Sequence, residues 1–273
     1  MVKREIEKKC LELAKKFPVL TITGPRQSGK TTLAKKLFPD KPYINLELPD
    51  VRQLALDDPR AFLGDLPRGA VLDEIQRAPL LPSYIQDIVD SSRRNNQFVL
   101  TGSQQFEVSN TISQSLAGRT AVIKLLPFSM GELTAFLRPA NPDILIYQGS
   151  YPRLYNEKIS PCDFYESYFE TYVQRDLRQL SQVDNLIVFE KFVRLLAGRI
   201  GQLLNCQSLA NDLGVSQPTI RKWVSLLEAS YLVFLLPPAG PSYTGSLTQL
   251  VQDQITRPMM MLGIAAFKMA MGS

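Results

Sequence analysis

The chain contains no histidine. That absence removes His-ligated zinc and every nucleophilic site built on a Ser-His or Cys-His pair, so catalysis must rest on carboxylates, hydroxyls, lysine, arginine or a metal ion. Cysteine is scarce too. Cys10, Cys162 and Cys206 stand far apart in no metal-ligand spacing, and an odd number of separate thiols fits a reducing, cytoplasmic setting. The longest apolar run near the end, Met259 to Phe267, is about half of a membrane span, so no membrane association is expected. The opening residues from Met1 to Lys9 are charged and lack the apolar core of a secretory signal. Charge of one sign is barely in excess: 31 Lys+Arg against 26 Asp+Glu leaves +5, which permits nucleic-acid contact without arguing for it. A length of 273 residues leaves room for one large domain or two ordinary ones.

What is present begins with a loop. Gly24, Pro25, Arg26, Gln27, Ser28, Gly29, Lys30, Thr31 and Thr32 fit G-x-x-x-x-G-K-[ST], after the apolar, β-branched run Pro18 to Thr23 and before the helical run Leu33 to Leu37. Glycines let the backbone wrap a phosphate, so that successive N–H groups and the positive end of the next helix face the anion. In this pattern Lys30 adds a point charge between the β- and γ-phosphates of ATP, and the Thr31 hydroxyl holds Mg²⁺.

Short apolar runs alternate with helical stretches as far as about Leu126, the rhythm of a three-layer α/β domain with a parallel sheet. Strands are expected at Val19 to Thr23, Tyr43 to Leu46, Ala70 to Leu72, Gln97 to Thr101 and Thr120 to Leu125. From Pro127 through Leu236 the pattern is almost wholly helical, and Phe164, Tyr165, Tyr168, Phe169 and Tyr172 read as the core of a second domain. Residues 208–227 have the form of a helix-turn-helix: Ala210 is small at a helix crossing, Gly214 permits the turn, Ser216 caps the second helix with Pro218 in its first turn, and Ile220, Trp223 and Leu227 form an apolar stripe. Such a unit either binds DNA through Gln217, Thr219, Arg221 and Lys222 or packs as part of a lid.

The strand ending in Leu72-Asp73-Glu74 is the partner that a phosphate loop needs. Asp73 at the strand end would orient the magnesium shell, and Glu74 beside it would polarise the attacking water. Downstream, Phe98-Val99-Leu100-Thr101-Gly102-Ser103 is a buried strand with hydroxyls at its tip, so Thr101 or Ser103 is a candidate bridge between γ-phosphate and water.

The loop, together with Leu72-Asp73-Glu74-Ile75-Gln76-Arg77-Ala78-Pro79, the Leu-Thr-Gly-Ser-Gln-Gln of 100–105, the Ser-Leu-Ala-Gly-Arg-Thr of 115–120, the Leu-Leu-Pro-Phe-Ser of 125–129 and the helical run 168–176, resembles the prokaryotic predicted AAA-type ATPases. The resemblance implies a P-loop NTPase fold of three-layer α/β/α type with a parallel sheet in the order 5-1-4-3-2, followed by a mostly helical, winged-helix-like domain. The corresponding boundaries are an ATPase domain at 1–130, a helical domain at 131–236 and an atypical tail at 237–273. It also implies ATP hydrolysis in a homo-oligomer, with Arg119 reaching a neighbour's site as an arginine finger. Asn45 matches the residue that holds the catalytic glutamate away from water until a partner binds. Family members usually continue into an α/β region resembling nucleases. Nothing after Leu236 resembles it, and a poorly ordered or loosely helical tail is expected. Three readings follow: an ATPase that moves a helical lid, a nucleotide-gated DNA-binding protein, and a nucleotide-binding scaffold without turnover; a further protein partner is left unnamed.

Overall fold

Strand β1 (Val19–Thr23) is buried at every position, because helices cover the sheet on both faces. The computed structural model describes residues 2–103, 115–134, 136, 142–173, 186–199, 202, 204–233 and 235. It divides between Leu126 and Pro127 into two units.

In the first unit β1 is joined by β2 (Tyr43–Asn45), β3 (Val71–Asp73), β4 (Phe98–Gly102) and β5 (Thr120–Lys124), all parallel and ordered β2-β3-β4-β1-β5. This is the expected 5-1-4-3-2 read from the other edge, with β4 inserted between the loop strand and the Asp-Glu strand. The expected strand limits hold to within a residue.

Side chains alternate between two cores, as the pleat demands. Val19, Leu72, Phe98 and Leu100 face one way, against α3 (Pro49–Asp57), α4 (Pro59–Gly64) and α5 (Leu81–Ser92), through Ala55, Leu63 and Ile85. Leu20, Ile22, Val71, Val99 and Ile123 face the other, against α1 (Glu7–Ala14) and α2 (Lys30–Leu37), through Cys10, Ala14, Leu33 and Ala34. The result is three layers. β5 closes one edge and leaves Val122 and Lys124 exposed. Since all strands run the same way, the carboxyl ends of β1, β3 and β4 lie at one end of the sheet, where open parallel sheets bind ligands.

Every regular element described in the second unit is a helix. A capping box on Ser129 and Glu132 opens α6 (Met130–Leu133), followed by α7 (Pro142–Gln148), α8 (Pro152–Asn156) and α9 (Pro161–Tyr168), which runs into a π turn over Phe169–Val173. Phe164, Tyr165, Tyr168 and Phe169 are buried with α10 (Leu186–Ala197), α11 (Cys206–Leu213) and α12 (Gln217–Ala229), so the aromatic run is core. The helix-turn-helix forms as read. Gly214 takes φ 66 between α11 and α12, a conformation that any Cβ would strain, and Ser216 Oγ accepts from Thr219 N. Trp223 stacks within 5.3 Å of both Phe189 and Phe192, while Arg221 and Lys222 are exposed. Gln104, Gln105, the Tyr172 side chain, residues 174–176 and the tail 237–273 lie outside the described residues.

Candidate functional site

The loop leaves β1 at Gly24, whose φ of 148 and close approach to the Leu125 carbonyl, 2.1 Å from where a Cβ would sit, admit only glycine. Gln27 and Gly29 also take positive φ, and Gly29 heads α2. Lys30 and Thr31 therefore stand in the first turn of a helix whose free N–H groups point into the loop, with exposed Thr32 behind them.

Lys30 is buried, and its ammonium donates to the carbonyls of Gly24 at 3.1 Å and Pro25 at 2.8 Å. Burial lowers its pKa to about 8; Glu74 and Asp73 oppose the shift and Arg26 adds to it. Arg26 lies 4.0 Å from Glu47. Two further loop groups, Ser28 Oγ and Gln27 Oε1, are buried without a hydrogen-bond partner. The Lys30 ammonium and the unpaired Ser28 hydroxyl are donors that an anion in the loop would engage, whereas Gln27 Oε1 needs a donor.

Asp73 closes β3 and is buried. Its Oδ2 accepts from Thr31 Oγ1 at 2.9 Å and from the Tyr43 hydroxyl at 2.6 Å, and its Oδ1 accepts from Thr101 Oγ1. Burial, then the bond to Asp73, raises the Tyr43 phenol above its ordinary pKa. Glu74 follows in the left-handed region, φ 56, and turns the chain into a short 3-10 helix at Ile75–Arg77. Its Oε2 accepts from Ser103 Oγ at 2.9 Å and from Gln76 Nε2, while its N–H donates to Thr101 Oγ1 at 3.4 Å. Thr101 and Ser103, read from the sequence as alternative bridges between γ-phosphate and water, each bond an acid here: one hydroxyl orders Asp73 and the other orders Glu74.

The oxygen set suits Mg²⁺. Among the described residues no cluster of three or more potential metal ligands occurs, and Mg²⁺ carried by a nucleotide needs none, since phosphate oxygens and water fill most of its octahedron. One hydroxyl and one carboxylate, Thr31 and Asp73, already touch across the mouth of the loop.

Two expected residues make bonds other than the expected ones, Asn45 from a place in register with Asp73. Asn45 ends β2, and its Oδ1 accepts from Glu47 N at 3.0 Å, closing its own turn; among the described residues the side chains bonded to Glu74 are Ser103 and Gln76. Arg119 lies at the amino end of β5, five residues of strand away from the loop end, and grips Asp90 of α5 through two bonds of 2.6 and 2.7 Å. That pairing lowers the Asp90 carboxyl and raises the guanidinium. Sequence reasoning missed Tyr43 and Gln76; the second was legible only as an amide two residues beyond the glutamate.

Residues 16–134 match a family model described as an AAA domain. This segment is similar in sequence to AAA domains. Its loop and sheet have the P-loop NTPase fold. Residues 142–251 match a second family, a domain of unknown function. An uncharacterized protein of Mycobacterium tuberculosis is 29% identical over 224 residues, 81% of this chain and 50% of its own length, and one from Haemophilus influenzae is 27% identical, over 60% and 44%. The chain thus spans about half the length of the curated relatives it matches. A Walker-type ATPase of Pyrococcus abyssi superposes with a TM-score of 0.59 over 86% of this chain and 91% of that one, at 17% identity, a likeness of fold.

Proposed function

We propose that the chain binds ATP with Mg²⁺ at residues 24–32 and hydrolyses it, with Glu74 as general base. The observation that carries the reading is the pair of adjacent acids, one tied by hydroxyls to Thr31 and the other held at the same strand ends by Ser103. Lys30 and the α2 terminus would receive the β- and γ-phosphates; Thr31 and Asp73 would hold the metal, which neutralises charge on the phosphate oxygens when bound. Glu74 would take a proton from water as its oxygen attacks the γ-phosphorus and the bond to the bridging oxygen breaks, giving ADP and phosphate. Thr101 and Ser103 would hold the acids in place.

Arg119 would act in trans in a homo-oligomer, exchanging Asp90 for a neighbour's γ-phosphoryl group. Turnover would shift the winged-helix-like helical unit as a lid. Exposed Arg221 and Lys222 support a second reading, in which ATP gates duplex DNA binding. Three free thiols fit a cytoplasmic setting, and among the described residues no helix is long and apolar enough to cross a membrane. Phosphate release by the purified chain tests the proposal: hydrolysis that requires Mg²⁺ supports it, and binding without release leaves a scaffold.

A further inference from the structure

Arg4 lies before α1 with 9% of its surface exposed, and its guanidinium spans two backbone carbonyls. Nη1 donates to Ser28 O of the phosphate loop at 2.9 Å, and Nη2 donates to Leu126 O at 2.6 Å. Its own N–H donates to Glu7 Oε1 at 2.8 Å, and that oxygen also lies 2.5 Å from Lys36 Nζ on the helix that follows the loop. The segment gripped at Leu126 meets the loop elsewhere as well: Leu125 N donates to Thr23 O at 2.7 Å, and Gly24 is packed on the Leu125 carbonyl. Leu126 is the last residue of the first unit. The Leu-Leu-Pro-Phe-Ser run singled out in the sequence therefore leaves the nucleotide unit from against the loop itself.

We infer that Arg4 is a positioning residue that fixes the Ser28–Gly29 peptide for phosphate binding and carries the occupancy of the loop to residues 125–129. The inference rests on the nucleotide-binding reading above. A peptide is planar, and its C=O and N–H point in opposite directions, so a cation holding the Ser28 carbonyl sets where the Gly29 N–H points. The same cation polarises that peptide and strengthens its N–H as a donor to an anion. Because the guanidinium is a rigid fork, a shift of the Ser28 carbonyl on phosphate binding is passed to Leu126 by one planar group. A lysine at this position keeps the charge and loses the fork.

The test uses the full chain, its Arg4→Lys and Arg4→Ala variants, and a non-hydrolysable ATP analogue with Mg²⁺. Nucleotide affinity is measured first, and backbone amide exchange over residues 125–133 is then followed with and without saturating analogue. The parent should bind and show slowed exchange there. Arg4→Lys should bind roughly tenfold more weakly, as for one lost charge-assisted bond, and at saturation its exchange over 125–133 should no longer respond. If Arg4→Ala does not fold, Arg4→Lys decides alone. An unchanged nucleotide effect in Arg4→Lys, or a parent that binds nucleotide with no effect on residues 125–133, overturns the inference and leaves the functional reading standing. A parent that binds no nucleotide overturns both.

Discussion

Thr31 Oγ1 donates to Asp73 Oδ2 at 2.9 Å across 42 residues of sequence. The bond joins the first turn of α2 to the end of β3, and it exists because β4 is inserted between the loop strand and the Asp-Glu strand. With one strand between them, at about 4.8 Å per step across the sheet, the two strand ends lie close enough for hydroxyl and carboxylate to bond directly. Tyr43 and Thr101 bring the bonds accepted by Asp73 to three of about four, so its orientation is set before any ligand arrives and one site stays open.

The pKa of Lys30 gives a pH prediction. Burial brings its pKa down to about 8 in the free protein, against 10.5 ordinarily, and phosphate favours the charged form. Binding above pH 8 must therefore take up a proton, and ATP affinity should be level from pH 7 to 8 and then fall by up to about tenfold per pH unit. Folding has the opposite sign: the cost of burying a charged lysine is present below pH 8 and is relieved as pH rises towards 10.5. Calorimetric titration in buffers of different ionisation heat reads the proton directly. Lys30→Ala should bind weakly at every pH with no uptake; equal parent affinity at pH 7.5 and 9.5 contradicts the assignment.

If Arg119 serves a neighbour's site, specific activity should rise with protein concentration. Arg119→Ala and Lys30→Ala, each inactive alone, should recover part of the activity when mixed, since some interfaces then pair an intact loop with an intact arginine. Asp90→Ala, which frees the guanidinium, should not abolish turnover. Concentration-independent hydrolysis with no recovery on mixing indicates a self-contained site and leaves Arg119 with its ion pair to Asp90.

For the helix-turn-helix, the apolar stripe and the charges separate the two readings. Ile220 and Leu227 are fully buried, and Trp223 is packed on two phenylalanines. Trp223→Ala should cost about 3–5 kcal/mol in thermal or denaturant unfolding. The Arg221→Ala, Lys222→Ala pair should leave stability unchanged and alter no DNA assay. A duplex complex at physiological salt that weakens steeply with added salt and disappears in the charge variant would favour DNA binding instead.

The sheet and loop were legible because both are written locally, the strands as apolar runs and the loop as a fixed spacing of glycines around a lysine. Asp73 and Glu74 were legible for the same reason, at the end of one such run. Tyr43 and Arg4 were not, since each acts by side-chain reach across the fold, and a tyrosine opening a strand or an arginine before a helix carries no local mark; Gln76 acts locally on Glu74, but an amide two residues beyond an acid has no distinguishing pattern. Asn45 and Arg119 show the converse. Their positions in the chain match the resemblance, but their bonding is set by neighbours: the backbone of Glu47 for one and Asp90 for the other.

The central claim is that Glu74 activates water and plays no part in holding nucleotide. One paired measurement on Glu74→Gln tests it: affinity for ATP with Mg²⁺, and the rate of phosphate release from the same sample. Glutamine keeps the size and an acceptor for Ser103, so affinity should stay within about twofold of the parent while turnover falls by roughly 10² to 10⁴, the range for loss of a general base. Hydrolysis at the parent rate would place the base elsewhere, and loss of binding would make Glu74 a structural support of the loop.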